Sequence, residues 1–295
     1  MYPSIRDDIV LQGWPSIQQG LEELGLEAVE LQVLRDMKVA LLAPEDGETT
    51  IALDSSESIM AYAEHLAKHG IRASAFMLAN DFNRDDFQEE VDWVVRVVDT
   101  AAKLAVPAVR IDAIMTGERD LPLDDRVNRF ADAMKQVLDR TDYHIVELGI
   151  ENHGFQGNDP DFLDRVLASV GSPRLGLTLD TGNFYWAGHP LDRVYEIIEH
   201  FAPQVKHTHC KNINYPEDKR YLRRDLGWEY GTYVCPLPDG DINHAKVAHT
   251  LKEAGYAGDF CIEDESLGRF PKTEWKKILH RDADHFRSIL EPPAT

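Results

Sequence analysis

Cysteine is scarce in this chain, and its scarcity excludes a fold held together by disulfides. Three cysteines, Cys210, Cys235 and Cys261, occur among the 295 residues. Their number is odd, and their spacing does not match that of a zinc finger. The sequence therefore predicts a reduced environment, and we expect a cytoplasmic protein.

Long apolar runs and basic charge are lacking as well. No stretch of about eighteen apolar residues occurs, so no membrane span is predicted. The first residues lack the basic start, apolar core and cleavage site of a secretory signal. Acidic residues outnumber basic ones by 52 to 31, which gives a formal net charge of −21. Such a charge repels phosphate backbones and anionic lipids, so neither nucleic acid nor a membrane is an expected partner.

The chain does have a regular alternation of strand and helix patterns. Eight short apolar stretches are predicted as strands, at residues 9–11, 28–31, 72–77, 109–112, 145–151, 175–180, 205–209 and 260–263. Amphipathic stretches that follow them are predicted as helices. Strict alternation implies a parallel sheet, and eight units in this length fit a single-domain (β/α)8 TIM barrel spanning residues 1–295. A doubly wound open sheet is the alternative, but no glycine-rich fingerprint follows any strand.

Two segments, residues 32–55 and 211–240, are too long for ordinary connections between a strand and a helix. Each follows a strand. In a barrel both therefore lie at the C-terminal face, where active sites are built. We expect them to be active-site loop insertions that cover a substrate.

Four predicted strands end in residues that bind hard metal ions. Glu151, Asp180, His209 and Glu263 are separated by 29, 29 and 54 residues. One strand–helix unit is about 30 residues long, so successive strands deliver these side chains to one rim. Three carboxylates and one imidazole suit Mn²⁺, Mg²⁺ or Co²⁺ better than a structural zinc. A helix cap or an ion pair is the alternative for any one of them, but burying such groups unpaired costs several kcal/mol.

His207 lies two residues before His209 and shares its face of the strand. Two interpretations of His207 stay open. It is either a packed histidine of the inner layer of the barrel, or a residue that contacts the substrate or supports the metal ligands.

Several segments resemble the sugar phosphate isomerase/epimerase family, the xylose-isomerase-like TIM barrels. They are VEL (29–31), GIENH (149–153), LDTGN (179–183), HTHCKN (207–212), PDGDIN (238–243) and GYAGDFCIEDE (255–265). The resemblance implies one divalent ion, with manganese expected, on Glu151, Asp180, His209 and Glu263. It also implies a small carbohydrate substrate, with Glu151 and Glu263 moving a proton through a metal-stabilised enediolate. Barrels of this family often pair, so a homo-oligomer is compatible with the resemblance.

The chain departs from the closest epimerases of that family. Asn183 stands where they carry a substrate-binding histidine, and Tyr215 stands where they carry an arginine. We therefore expect Asn183, Lys211 and His153 to contact the substrate, with His153 near enough to the metal to act as a catalytic acid or base. A hydrogen bond to a metal ligand is the alternative role of His153. The DNA-repair endonucleases of the superfamily fit poorly, because Asn183 also replaces one of their zinc ligands.

Three functions follow from these residues. The first hypothesis is a metal-dependent isomerase or epimerase of a sugar, sugar acid or cyclitol. The second is a metal-dependent lyase, a dehydratase or a 3-keto-glycoside-cleaving enzyme, in which loss of a leaving group follows proton removal. The third is a non-catalytic sugar-binding subunit.

Overall fold

The computed structural model describes residues 1–290, and its centre is a barrel of eight parallel strands. They are β1 (Tyr2–Arg6), β2 (Ala28–Gln32), β3 (Arg72–Met77), β4 (Ala108–Ile111), β5 (Glu147–Glu151), β6 (Leu175–Asp180), β7 (Val205–His209) and β8 (Asp259–Ile262). Each strand from β1 to β6 pairs with the next in chain order, and β8 pairs with β1. Between β7 and β8 there is only a bridge just past the end of β7, where the Cys210 N–H donates to the carbonyl of Cys261 in β8 at 2.8 Å. This nearly closed barrel confirms the predicted fold class.

Helices surround the barrel. They are α1 (Asp7–Gly13), α2 (Ile17–Leu24), α3 (Ser56–His69), α4 (Phe87–Lys103), α5 (Leu123–Arg140), α6 (Pro160–Val170), α7 (Asn183–Trp186), α8 (Leu191–Phe201), α9 (Tyr230–Tyr233), α10 (His244–Glu253) and α11 (Lys272–Leu290). In α5, for example, Val127, Phe130, Met134 and Val137 form the buried stripe that packs inward. Within residues 1–290, no helix combines the length and the apolar character that a membrane span needs.

The sequence-based prediction was wrong for the first strand. Residues 9–11 lie inside α1, and β1 lies before them. Asp7 and Asp8 occupy the first turn of α1, where the helix dipole favours negative charge. Ile5 of β1 lies beside Val29 on one neighbour and Ile262 on the other. Pairing with two distant strands therefore selects β1, and this information is absent from the local pattern.

The insertion at residues 32–55 contains a β-hairpin rather than an irregular loop. Its strands, Lys38–Glu45 and Glu48–Ala52, pair antiparallel. Asp46 and Gly47 join them with φ values of 51° and 86°, both in the left-handed region that a two-residue hairpin turn requires. The Asp46-Gly47 dipeptide is a sequence signal for such a hairpin, and the prediction of a loop did not take it into account.

The insertion at residues 211–240 is packed around its own aromatic side chains. Asn212–Ile213 pairs antiparallel with Val234–Cys235 and closes the segment at its base. The guanidinium of Arg224 contacts two neighbouring rings, 4.4 Å from the centroid of Tyr185 and 4.3 Å from that of Tyr215. This cation–π stack fixes the insertion against α7 at the C-terminal face of the barrel.

Candidate metal centre and active site

The barrel brings the four predicted metal ligands to one point. Glu151, Asp180 and His209 are the last residues of β5, β6 and β7, and Glu263 directly follows β8. One ligand atom from each lies within 4.8 Å of the other three, and all four residues are buried. Parallel strands of a barrel end at the same rim, so the alternation of the sequence is the cause of this convergence.

The chemistry of these residues fits a divalent cation. Asp180 Oδ2, His209 Nδ1 and Glu263 Oε2 are buried and make no well-aligned hydrogen bond within residues 1–290, although the Lys211 ammonium lies close to both carboxylate oxygens. Burial raises the pKa of Asp180 well above its usual value, and Glu263 and Glu151 add to this effect although Lys211 opposes it. A cation would neutralise the repulsion between the carboxylates, and all three of these buried atoms could coordinate it. That these four residues hold a metal stays a prediction.

Each of the three carboxylates also has a cationic neighbour. Arg110, in β4, forms an ion pair with Glu151, and Arg6, at the end of β1, forms one with Glu263. The Lys211 ammonium lies 3.1 Å from Asp180 Oδ2 and 3.2 Å from Glu263 Oε2. The sequence-based reasoning missed both arginines, although each occupies the rim-facing end of a strand.

Lys211 and Asn183, which were predicted to contact substrate, lie against the metal-ligand cluster. The Asn183 side-chain amide donates to Glu151 Oε1 at 3.2 Å, and its backbone N–H donates to Asp180 Oδ1 at 2.8 Å. Both residues are buried. Asn183 therefore orients two of the carboxylates, and its role toward a substrate stays a prediction.

His153 lies at the mouth of the barrel and is paired with a carboxylate. Its Nδ1 is 3.1 Å from Asp112 Oδ1, and its side chain is 39% exposed. Arg110 Nη1 lies 3.1 Å from Asp112 Oδ2 and so fixes the carboxylate. Burial opposes the charged form of His153, but the hydrogen bond to Asp112 and the charge of Glu151 raise its pKa. The pairing orients the ring and leaves Nε2 available to a substrate.

Three hydrogen-bonded side chains, those of Lys211, Glu265 and Tyr230, lie across the mouth of the barrel from His153. The Lys211 ammonium donates to Glu265 Oε1 at 2.7 Å, and the Tyr230 hydroxyl donates to the other carboxylate oxygen of Glu265. Glu265 follows β8, whereas Asp112 follows β4, and three strands lie between β4 and β8 in either direction around the barrel. The cluster of metal ligands therefore has one polar arm on each side. Neither Glu265 nor Tyr230 was singled out from the sequence.

His207 points into the barrel, one layer below His209. It is fully buried, with Nε2 3.0 Å from Glu30 Oε1 and Nδ1 2.8 Å from Asp259 Oδ1. Burial opposes the charged form, but the two carboxylates raise the pKa of His207 to about 9. This position agrees with the inner-layer interpretation, and both ring nitrogens already face carboxylates, while a contact of His207 with substrate stays a prediction.

A family model described as a xylose isomerase-like TIM barrel matches residues 19–289. The chain belongs to this family. The match covers almost the whole barrel, including all four candidate ligands, and it agrees with the resemblance inferred from the sequence. Members of the family are enzymes, including isomerases, epimerases and dehydratases.

Two relatives of this xylose isomerase-like chain are inosose dehydratases. The protein from Serratia proteamaculans is 25% identical over 147 residues, which are 48% of this chain and 49% of the relative. The protein from Geobacillus thermodenitrificans is 22% identical over 214 residues, or 65% of this chain and 67% of the relative. This chain spans about half the length of the first curated relatives that it matches.

Three solved structures share the fold of this xylose isomerase-like barrel over nearly its full length. The IolI protein with a bound zinc atom has a TM-score of 0.71 at 16% identity, covering 99% of this chain and 100% of that one. A Mycobacterium smegmatis barrel in complex with magnesium has a TM-score of 0.67 at 16% identity, covering 98% and 97%. The probable 3-DHS dehydratase AsbF of Bacillus anthracis has a TM-score of 0.64 at 14% identity, covering 97% and 98%. At these identities the likeness extends to the fold alone.

Proposed function

We propose that the chain is a divalent-metal-dependent dehydratase, a carbon–oxygen lyase acting on a cyclic ketone that carries hydroxyl groups. The observation that carries the proposal is the His153–Asp112 pair beside the metal-ligand cluster, since it supplies one dedicated base to one side of the site. The inosose dehydratases among the relatives support the same reaction class.

The two glutamates are poorly placed to move protons in both directions, as an epimerase of the usual kind requires. Glu151 is held by Arg110 and by Asn183, and Glu263 is held by Arg6. Their oxygens already accept hydrogen bonds or face the metal position. His153 has its Nδ1 bound to Asp112 and its remaining nitrogen without such a tie, so it is the better candidate for a base.

The proposed reaction balances without a further reactant. His153 takes the proton from the carbon next to the carbonyl, and the carbon–hydrogen electron pair forms the new double bond. The bond from the adjacent carbon to its hydroxyl breaks, and the hydroxyl leaves as water after receiving a proton. Glu151, Asp180, His209 and Glu263 would hold a divalent cation, and its Lewis acidity would stabilise the negative charge that develops on the carbonyl oxygen.

The arm opposite His153 is suited to the departing hydroxyl. Tyr230 and Lys211 are both hydrogen-bond donors, and Glu265 holds the two donors together. A base and a donor on different sides of the bound ketone would remove the proton and the hydroxyl from opposite faces of its ring. The product would be an unsaturated ketone.

The deciding experiment supplies the metal-loaded protein with an inosose and with 3-dehydroshikimate, and follows the ultraviolet absorbance of a conjugated product. An increase in absorbance together with a product one water molecule lighter than the substrate, observed by mass spectrometry of the reaction in deuterated solvent, is the expected result. Exchange of the carbon-bound hydrogen for deuterium with an inverted centre and no loss of mass would instead support an isomerase or epimerase. That second candidate is favoured by one observation, the approach of Glu151 and Glu263 to the same point from β5 and β8.

The substitution Tyr230→Phe tests the donor arm. Removing the hydroxyl should lower kcat by about 100-fold, the lower end of the range for a positioned proton donor, with little change in metal affinity. Tyr233→Phe is the matched control, because Tyr233 belongs to the same short helix and stacks on Trp228. Equal rates in the two variants would remove Tyr230 from the mechanism.

A further inference from the structure

The imidazole of His209 is held from behind by a buried carboxylate. Its Nε2 lies 2.7 Å from Glu30 Oε2, while its Nδ1 faces Glu151 Oε2 at 3.4 Å and Glu263 Oε2 at 3.6 Å. An ionised carboxylate only accepts hydrogen bonds, so the proton of the neutral ring belongs on Nε2. The lone pair then lies on Nδ1, which points into the metal-ligand cluster.

Glu30 is itself fixed by further buried groups. Its Oε1 faces Nε2 of His207 at 3.0 Å, and Nδ1 of His207 faces Asp259 Oδ1 at 2.8 Å. The hydroxyl of Ser4 donates to Asp259 Oδ2 at 2.5 Å. The chain of contacts therefore runs through the barrel interior from β7 to β2, back to β7 and on to β8 and β1. None of its members is more than 2% exposed.

This series of buried polar contacts is not the arrangement expected if the barrel interior served stability alone. Burying ionisable groups is often less stabilising than packing apolar side chains of similar volume. The interior of a (β/α)8 barrel is ordinarily filled by branched apolar residues. We therefore look for a role other than stability. The contacts end at His209, a candidate metal ligand, so this role concerns the metal centre.

We propose that Glu30 is a positioning residue for the metal centre, and that His207 and Asp259 hold Glu30 in place. Glu30 keeps the proton of His209 on Nε2 and keeps Nδ1 directed at the cation. A carboxylate that accepts from the outer nitrogen of a ligating histidine fixes the ring and increases its strength as a ligand. This role requires only a cation at the four rim residues and is independent of the reaction that the site performs.

The test measures binding of Co²⁺ to the metal-free full-length protein by calorimetry and by visible absorption. Glu30→Gln removes the charge and gives one of the two histidines an amide donor in place of an acceptor. We expect one ion per chain in the native protein, roughly 10–100-fold weaker binding in Glu30→Gln, and an altered absorption spectrum. Both readouts are independent of turnover, so they remain informative if the proposed dehydratase activity is wrong.

Glu90→Gln is the matched control. Glu90 is likewise fully buried and ionically paired, but its partner is Arg35, and it lies in α4 outside the barrel. It should lose stability without losing affinity for Co²⁺. Native affinity and spectrum in a folded Glu30→Gln protein would overturn the proposal. Should that variant not fold, His207→Gln replaces it, because glutamine cannot bond to Glu30 and Asp259 in the same way, and unchanged affinity there would overturn the proposal equally.

Discussion

Replacing His153 by glutamine is expected to lower kcat by about 10²–10⁴-fold, the range that a positioned general base contributes. The affinity for Mn²⁺ should change little, because His153 bonds to Asp112 rather than to an unpartnered atom of the metal-ligand cluster. Turnover of a cyclic ketone and calorimetric binding of Mn²⁺, measured on the same preparation, check the two halves of this expectation.

Two further variants test the same assignment: Asp112→Asn, which alters the partner of His153, and His200→Gln, which serves as a control. Asparagine in place of Asp112 removes the charged acceptor of His153 Nδ1, so the ring is no longer held in one tautomer and kcat should fall as well. The double variant should be little worse than His153→Gln alone, since residues acting as a unit are not additive. His200→Gln is the control, because His200 forms a similar pair with Asp164, at 2.8 Å, on the outer surface of the barrel. A rate loss in His200→Gln comparable to that in His153→Gln would refute the assignment.

The sequence was informative about the rim of the barrel because that rim repeats. β5, β6 and β7 are each a short run ending in a metal-binding side chain, and 29 residues separate each of these side chains from the next. Glu151, Asp180 and His209 could therefore be placed beside one another without knowledge of any long-range contact. Asp112, which follows β4, obeys the same rule, but nothing in the local sequence shows that its partner is His153, 41 positions away.

The residues that were missed depend on contacts between distant parts of the chain. Glu30 lies within β2. Its role depends on the folded barrel, which brings His207 and His209 of β7, 177 and 179 positions along the chain, into contact with it across the interior. Arg6 reaches Glu263 because β1 pairs with β8. Tyr230 belongs to a four-residue helix in an insertion, where neither period of the hydrophobic pattern applies. A single sequence contains no signal for such long-range pairings. Strand periodicity, in contrast, is a local pattern and can be recognised without them.

The largest loss is expected on replacing Glu263 by glutamine. This carboxylate contributes a buried oxygen without a well-aligned hydrogen bond to the metal-ligand cluster, and it forms ion pairs with Arg6 and Lys211. The neutral amide is a much weaker ligand for Mn²⁺ than a carboxylate. Affinity should therefore fall by more than the roughly 10–100-fold that the loss of a residue behind a ligand causes. Turnover should be abolished, while the circular dichroism spectrum stays native.

Glu265→Gln is the matched control for Glu263→Gln, because it removes a nearby negative charge without removing a candidate metal ligand. It removes a negative charge two residues away and also faces Lys211, yet it supplies no ligand atom to the cluster of four. Its Mn²⁺ affinity should stay close to native even though its turnover falls with the loss of the donor arm. Treating the native protein with a chelator should reproduce the Glu263→Gln phenotype, with activity lost before helix content and restored by added Mn²⁺. Full turnover in the metal-stripped protein, or native Mn²⁺ affinity in Glu263→Gln, would refute the assignment of a metal to this rim, because the geometry of the four residues would then need another explanation.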